Sequence, residues 1–466
     1  MDLAISEHKD EVYFHIGNLF STSREIIQKI LSLLGYYDLV SAVQVCESWS
    51  LIGLQILEKR RLRYITLHPN GLKNTELQSI NDLPPPFKSL ENFLENINYK
   101  SFHCLGFTCG GWLGRGDITT KFSPKGSTLC DLLRNVFPKG CEMALLEASG
   151  VVGSVQISPE DSEDKHTYKH ISESFNNVHY SIELEESTVN HNGNDDSMEA
   201  VSLILFPEQP GVKFNIFNLD EEDFYKTYKS NNSSGIRKRS EVSQEEFNSV
   251  CGLEPEEDLK ALIIFTYHNR TLTRSFLDTA QSRQNDKLAI GGGVVHWVQR
   301  DDEYYKGTVG IAISGRNVQT ASIVVPSSVK DIKNLKLRLA KLKEKGLPEG
   351  HSLCFMFSCC GRGSEWYKKG HIPDNKDLLN VETRAFRELF PCTPIFGFFG
   401  DGEIGNNFYS RDEEEEGCSE SIDGIETLQF QPRKKRKRKQ NLFHQFSTIF
   451  VICFILMRFL ITEIKT

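Results

Sequence analysis

Several features are scarce or missing in this 466-residue sequence, and each absence excludes something. The most apolar stretch near the C-terminus, Ile449 to Met457, stops at Arg458, well short of the roughly 20 residues that span a bilayer as a helix. Met1 to Phe20 carries charges throughout and has no apolar leader, so the 12 Cys are expected as thiols in a reducing compartment, not as a disulfide framework. Neither a Cys-x-x-Cys pair nor a Cys/His zinc spacing occurs, which argues against a metal site. Gly291-Gly292-Gly293 lacks the Lys-Ser/Thr of a phosphate loop and reads as turn glycines. His351 lies upstream of Cys359 on the far end of one expected strand, out of reach as its base, so no catalytic residue and no cofactor is expected. Basic residues are outnumbered, 54 Lys+Arg against 63 Asp+Glu for a net charge of −9, which excludes general nucleic-acid binding outside a local basic patch.

What is present fits a globular chain of two or three domains, because 466 residues exceed one ordinary core and the 39% hydrophobic and 25% charged content is average. Thr22 to Leu34 reads as an amphipathic helix, with Thr22 and Glu25 as a capping box and Ile26, Ile27, Ile30, Leu31 and Leu34 at helical spacing. Asp38 is expected to cap a second helix to Cys46, and Trp49, Ile52 and Ile56 give a third its apolar stripe. Three short helices barely enclose a core, so surplus apolar surface is expected for a partner helix. Leu83-Pro84-Pro85-Pro86 breaks regular structure as a linker. Beyond Tyr99 the pattern becomes α+β: strands at Leu262 to Tyr267, Gly310 to Ser314 and Ala321 to Val325, and a helix through Ile332, Leu335, Leu339 and Leu342. Ser158 to Glu199 and Asp220 to Glu257 read as exposed insertions that add little to the core.

Two distant segments repeat each other. Cys104, Phe107, Thr108, Cys109 and Gly114-Arg115-Gly116 match Cys354, Phe357, Ser358, Cys359 and Gly361-Arg362-Gly363. Each continues into a helix reaching Arg-x-x-Phe-Pro, with Arg134, Phe137 and Pro138 in one copy and Arg387, Phe390 and Pro391 in the other. Strands Met143 to Ala148 and Ile395 to Phe399 follow, then glycine turns at Gly150 and Gly400-Asp401-Gly402. Two like halves are expected to pack about a pseudo-twofold axis with their loops on a shared cleft. Cys109, Arg115, Cys359, Cys360, Arg362 and Glu403 are its candidate residues. The Arg could lower a thiol pKa or hold a carboxylate, and Glu403 could complement an amine, which together suit an amino-acid-like ligand. An Arg–Glu bridge that only holds strand ends together is the competing reading.

Leu19, Ile27, Ile30-Leu31, Leu34, Asp38-Leu39, Val43, Val45-Cys46 and Trp49 resemble an F-box, although the early Leu-Pro pair is missing and Ser50 follows the Trp. Cys359-Cys360-Gly361-Arg362-Gly363 and Gly397 to Gly405 resemble the FIST domain. These resemblances imply a substrate receptor of a cullin-type (SCF) ubiquitin ligase: Leu19, Ile27, Ile30, Leu31, Leu34, Leu39, Val45 and Trp49 would dock on the Skp adaptor, a cullin would join through it, and the FIST region would present the protein to be ubiquitinated. The expected layout is an F-box at 10–65, a linker at 66–97, and a two-lobed, internally duplicated FIST region, 98–257 and 258–466, the second lobe carrying a charged loop at 410–440. A FIST-type small-molecule sensor is the alternative.

The tail holds an acidic run, Asp412 to Glu416, and seven consecutive basic residues, Arg433 to Lys439. No aromatic side chains are interleaved to stack bases, so the basic run reads as a nuclear import signal in a cytoplasmic and nuclear protein. Phe446 to Ile461 reads as a core strand, with a membrane tail anchor as the competing reading.

Overall fold

The computed structural model describes residues 23–34, 36–59, 62–67, 90, 93–94, 101–111, 113–114, 116, 118–120, 123–137, 139–156, 179–185, 200–209, 211–220, 242–267, 271–284, 287–300, 303–305, 307–348, 352–367, 380–409 and 441–455. Leu19, Arg115, the proline linker, the acidic run 412–416 and the basic run 433–439 lie outside them.

The N-terminal unit is α1 (Arg24–Leu33), α2 (Tyr36–Ala42) and α3 (Glu47–Lys59). Ile27 and Leu31, one turn apart on α1, pack with Leu39, Ala42, Ile52 and Ile56 into one small core. Two helix starts differ from expectation. Ser23 is the N-cap of α1 and makes no side-chain cap bond, while Thr22 of the expected capping box lies outside the described residues. Asp38 sits inside the first turn of α2, where its carboxylate suits the helix dipole, and not at the cap.

The rest is built from one plan used three times. The first run is β1 (Arg63–Leu67), β2 (Ser101–Cys109), a ribbon of β3 (Ile118–Thr120) and β4 (Ser123–Ser127), α4 (Leu129–Val136), β5 (Glu142–Glu147), a hairpin of β6 (Gly150–Gln156) and β7 (His179–Glu185), and β8 (Ala200–Pro207). The second is β9 (Lys213–Leu219), α5 (Gln244–Val250), β10 (Leu259–Thr266), α6 (Thr271–Gln284), β11 (Ala289–Val294), a hairpin of β12 (Trp297–Arg300) and β13 (Glu303–Tyr305), and β14 (Thr308–Ser314). The third is β15 (Val318–Val325), α7 (Ile332–Lys343), β16 (Ser352–Cys359), α8 (Gly363–Tyr367), α9 (Val381–Leu389), β17 (Ile395–Gly400), a pair of β18 (Glu403–Ile404) and β19 (Phe443–His444), and β20 (Thr448–Ile455).

Three six-stranded sheets result, ordered β1-β8-β2-β5-β12-β13, β9-β14-β10-β11-β18-β19 and β15-β20-β16-β17-β6-β7. In each, the third and fourth strands are the parallel pair, β2/β5, β10/β11 and β16/β17, while the other neighbours run antiparallel. Every sheet takes its last two strands from another run: β6/β7 leave the first for the third, β12/β13 leave the second for the first, and β18/β19 leave the third for the second. The exchange is cyclic. The expected pair of halves about a twofold is therefore replaced by three equivalent sheets, and the boundary at 257–258 separates no two bodies.

The inner faces share one core. Phe107, Phe265 and Phe357 occupy equivalent places on β2, β10 and β16, and their rings meet at 6.1 Å (Phe107–Phe265) and 5.9 Å (Phe265–Phe357), with Phe398 5.2 Å from Phe357. Helices cover the outer faces: Leu129, Leu132 and Leu133 of α4 on the first sheet, Phe276, Leu277 and Ala280 of α6 on the second, Leu335, Leu339, Ala385 and Phe386 of α7 and α9 on the third. Gly292 and Gly397 sit at matching places on β11 and β17 with φ of 133° and 153°. A Cβ on either would lie 1.8 Å from the carbonyl oxygen of Ile264 or Met356, so only glycine fits.

Other expectations are modified by this closure. The expected F-box limit of 65 cuts through β1, which pairs with β8, and Leu67, Leu90 and Leu94 of the expected linker are buried under the first sheet. The supposed acidic insertion contributes β7, and the second insertion contributes α5, started by a Ser243–Glu246 capping box. Thr448 to Ile455 is a central strand between β15 and β16 with every residue buried, so it does not serve as a membrane anchor. No helix among the described residues is long and apolar enough to cross a membrane.

Because Phe265 is wholly buried against rings from the other two sheets, Phe265→Ala is expected to cost about 3–5 kcal/mol, and urea denaturation checks it.

Candidate functional site

Two places carry functional potential. The first is the helical unit. Ile27, Leu31 and Leu39 are consumed by its own core, and Ile30, Leu34 and Trp49 are partly buried. Of the expected adaptor contacts among the described residues, Val45 alone is well exposed, at 65%. Leu33 at 85% and Leu51 at 58% join it as large apolar side chains left in solvent. Sequence reasoning passed over both. The usable signal was that each falls off the buried i, i+4 stripe of its helix while remaining large and apolar.

The second is the junction where the ends of the three parallel strand pairs converge. There the backbone closes a ring of cross-sheet bonds: Ser149 N–H donates to Phe399 O at 3.0 Å, His296 N–H to Glu147 O at 2.8 Å and Asp401 N–H to Val294 O at 3.1 Å. Each donor lies two residues beyond its acceptor's counterpart in its own run, so Ser149, His296 and Asp401 are equivalent positions. Their side chains meet. Ser149 Oγ is 3.1 Å from His296 Nε2, and the same Nε2 is 3.6 Å from Asp401 Oδ2. A hydrolytic triad needs the acid and the hydroxyl on opposite ring nitrogens, so this arrangement is not one.

Beside the ring, β16 ends in Cys359 and Cys360. Cys360 is exposed, its N–H donates to Gly400 O at 2.8 Å, and its thiol approaches Asp401 Oδ1 at 3.7 Å. Cys359 is buried, and its thiol is drawn down to about 5 by the Cys360 thiol, by backbone N–H groups of Gly361 and Phe446, and by the Glu403 carboxyl. The Cys360 thiol is pushed up by the neighbouring Cys359 sulfur, by burial and by Asp401. Glu403 Oε2 accepts from Ser447 N at 3.1 Å and Ser447 Oγ at 2.6 Å. Burial nevertheless raises the Glu403 carboxyl to about 8.

Arg362 and Glu403 do not form a ligand clamp. The Arg362 side chain is fully buried and its Nε and Nη2 reach Glu382 Oε1 at 3.0 and 2.7 Å. Nη2 also donates to Tyr367 OH at 2.8 Å and Nη1 to Phe446 O at 2.9 Å. Glu382 Oε1 accepts from Tyr367 OH at 2.6 Å, and Oε2 from Thr448 Oγ1 at 2.6 Å. The Arg–Glu bridge is thus structural, with Glu382 as the acid, and it pins the Gly-Arg-Gly loop to α9 and β20. Cys109 is buried in the central core. Among the described residues, no group of three His, Cys, Asp or Glu is placed to hold a metal.

With this geometry in place, the class of the chain follows from its helical unit: residues 23–52 match the F-box domain, so the chain carries an F-box. More particularly, it is similar to F-box only protein 22 of Homo sapiens, 27% identical over 331 residues covering 69% of this chain and 65% of that protein. The same protein of Pongo abelii matches at 27% over 331 residues, with the same coverage. The similarity thus spans just under two thirds of these relatives' length. Among solved structures, a cyanuric acid hydrolase from A. caulinodans is 8% identical, covering 85% of this chain and 99% of that one, at a TM-score of 0.30, too low to carry an argument.

Removing one member of the buried pair leaves its partner charged and unpaired, so Arg362→Ala is expected to cost about 3–5 kcal/mol in urea denaturation. A pH series tests the junction. Glu403 keeps its proton to about 8 in the fold but releases it near about 4.3 when unfolded, so its contribution to stability falls as pH rises between those values. Cys359 acts oppositely, ionising near about 5 in the fold and about 8.5 unfolded, so its contribution grows over that window. From pH about 5 to about 8 the two oppose each other. Urea midpoints should fall with pH in Cys359→Ser and rise in Glu403→Gln, with little slope from this pair in the wild type.

Proposed function

We propose that this chain is the substrate-recognition subunit of an SCF-type E3 ubiquitin ligase. The single observation that carries the reading is the match of residues 23–52 to the F-box domain, folded as a three-helix unit with Leu33, Val45 and Leu51 in solvent. Apolar side chains on a small helical unit suit helix-on-helix docking, where a few anchors filling pockets supply most of the affinity. The partner is a Skp-type adaptor, and through it a cullin. F-box proteins are generally non-catalytic adaptors, and this chain acts the same way: by holding a target protein beside a separate ubiquitin-conjugating enzyme it raises the effective concentration of target lysines. Proteasomal degradation of the target follows in this reading. The surface around the three-sheet junction presents the target, and the basic run 433–439 directs part of the protein to the nucleus.

An amino-acid-like ligand held between Arg362 and Glu403 is not favoured, since Arg362 is taken by Glu382. The structure also changes which residues should be tested. Leu34 and Trp49 pack on the unit's own core, so their loss would unfold it, whereas the exposed set can be altered with the core intact. Leu33→Asp, Val45→Asp and Leu51→Asp combined are expected to keep wild-type circular dichroism yet lose capture of purified Skp-type adaptor by more than tenfold; undiminished capture by the folded triple variant overturns the assignment.

A further inference from the structure

The adaptor role makes no use of the outer side of α7, where the charge runs against that of the whole chain. From Asp331 to Lys345 six basic residues, Lys333, Lys336, Arg338, Lys341, Lys343 and Lys345, stand against two acids, Asp331 and Glu344, a local +4 in a chain of net −9. Asp331 is committed as the helix N-cap, where its carboxylate accepts from Asn334 N at 2.8 Å and Asn334 Nδ2 at 2.6 Å. Lys336 pairs with Glu388 of α9. Arg338 donates from Nε to Val324 O and from Nη2 to Asn407 Oδ1, both at 3.0 Å and both neutral acceptors. With Lys341 it lies over the Tyr409 ring, at 5.9 and 5.8 Å, and an aromatic face holds a cation without cancelling its charge. Lys333, Arg338 and Lys341 thus form no ion pair among the described residues.

An apolar side chain sits among these cations. The stripe Leu335, Leu339 and Leu342 is buried on the third sheet, whereas Leu337 falls off it and is left 59% exposed. Beyond the helical unit, only Trp297 and Phe446 share that state among the described residues. Both of those have an aromatic neighbour, Tyr267 at 5.7 Å and Trp366 at 5.8 Å. Leu337 belongs to no core cluster. Lys333 lies one turn before it and Lys341 one turn after it, so the three form a single row along the helix.

We propose that this row docks an acidic segment of a partner protein, with Leu337 as the apolar anchor and Lys333 and Lys341 as its flanking cations. The two lysines stand about 12 Å apart along the helix axis, a distance that extended chain covers in about four residues. The matching segment therefore carries Asp or Glu about four positions apart with an apolar side chain between them. A central apolar contact supplies the affinity, and the surrounding charges speed encounter and reject basic partners. A lipid surface fits less well, because the apolar stripe of α7 is already buried on its sheet and leaves one leucine where an interfacial helix inserts a whole face. Nucleic-acid phosphates would engage the lysines and leave Leu337 idle. The contact is independent of the ligase reading.

The test uses the full chain and a fluorescein-labelled peptide in which a leucine is flanked on both sides by glutamates. Binding is read by fluorescence anisotropy at low salt, where exposed charges are least screened. The wild type is expected to bind this peptide and to ignore one with glutamines in place of the glutamates. Lys333→Gln with Lys341→Gln should weaken binding severalfold, and Leu337→Asp by about tenfold or more. Lys333 and Leu337 are exposed, and circular dichroism checks that each variant keeps its fold. Capture of the Skp-type adaptor should be unchanged in both, which keeps failure here distinct from failure of the ligase reading. Undiminished peptide binding by the folded variants overturns the proposal, because the peptide then sits on another basic segment such as 433–439. Absence of binding by the wild type also overturns it. If binding then appears once Asp412 to Glu416 are all changed to Ser, the occupant is the chain's own acidic run; if phosphatidylserine vesicles bind instead, it is a membrane.

Discussion

The fold depends on one constraint: the second strand of each parallel pair needs a neighbour, and in this chain another run supplies it. An unpaired strand edge exposes a row of backbone donors and acceptors, so β5, β11 and β17 cannot be left open. The hairpin that follows each of them crosses to a different sheet, and after three crossings the circuit closes. The ring from Ser149, His296 and Asp401 to the carbonyls of Phe399, Glu147 and Val294 is where the crossings start. Each such bond adds only about 0.5–1.5 kcal/mol net, but together they fix how the three sheets meet, and the phenylalanines packed beneath inherit their places from that register.

This closure explains why strand-end groups gather in one small space. Residues far apart in sequence, such as Ser149, His296 and Asp401, come together because they hold the same position in three copies of one plan. Cys359, Cys360 and Glu403 lie beside them for the same reason. Two charged systems sit within a few residues of each other and differ in kind. Arg362–Glu382 is paired, saturated with hydrogen bonds and fully buried, so it holds the loop. Glu403 and Cys359 are also removed from water, but burial prevails only at Glu403, whose carboxyl is raised, whereas the neighbouring Cys360 thiol and backbone N–H groups draw the Cys359 thiol down.

Much of the fold was legible in the sequence, for identifiable reasons. The strands at 259–266, 308–314 and 318–325 and the helix at 332–343 follow from apolar period and turn residues. The first and third runs announced their kinship through Cys, Phe, Cys and Gly-Arg-Gly at matching offsets. The second kept only Phe265 and Thr266 of that pattern, with Tyr267 where the others have Cys, so a threefold plan read as twofold. What the runs share is strand order, and strand pairing is dictated by backbone, which leaves little mark in side-chain identity. The junction residues were illegible for the same reason: Ser, His and Asp at equivalent positions have nothing in common as letters. Arg362 was correctly singled out, but its acid is Glu382 on a following helix and not the nearer-seeming Glu403. In the helical unit, the expected contacts were the apolar stripe, and a stripe on a unit this small is its own core. The exposed anchors are the apolar residues that fall off it.

The cyclic exchange of hairpins has a consequence for how the chain comes into being. No sheet is made only of residues close in sequence: the first waits for Trp297 to Tyr305, and the third joins Gly150 to Glu185 with Thr448 to Ile455. Such distant pairings are slow to form, because loop-closure entropy is lost before the contacts that offset it exist. During synthesis the β15 and β16 edges therefore stay open until β20 has emerged, and the buried run Thr448 to Ile455, so apolar when read alone, is the piece that seals them. A nascent chain halted before it would display two bare strand edges, the kind of surface that chaperones hold.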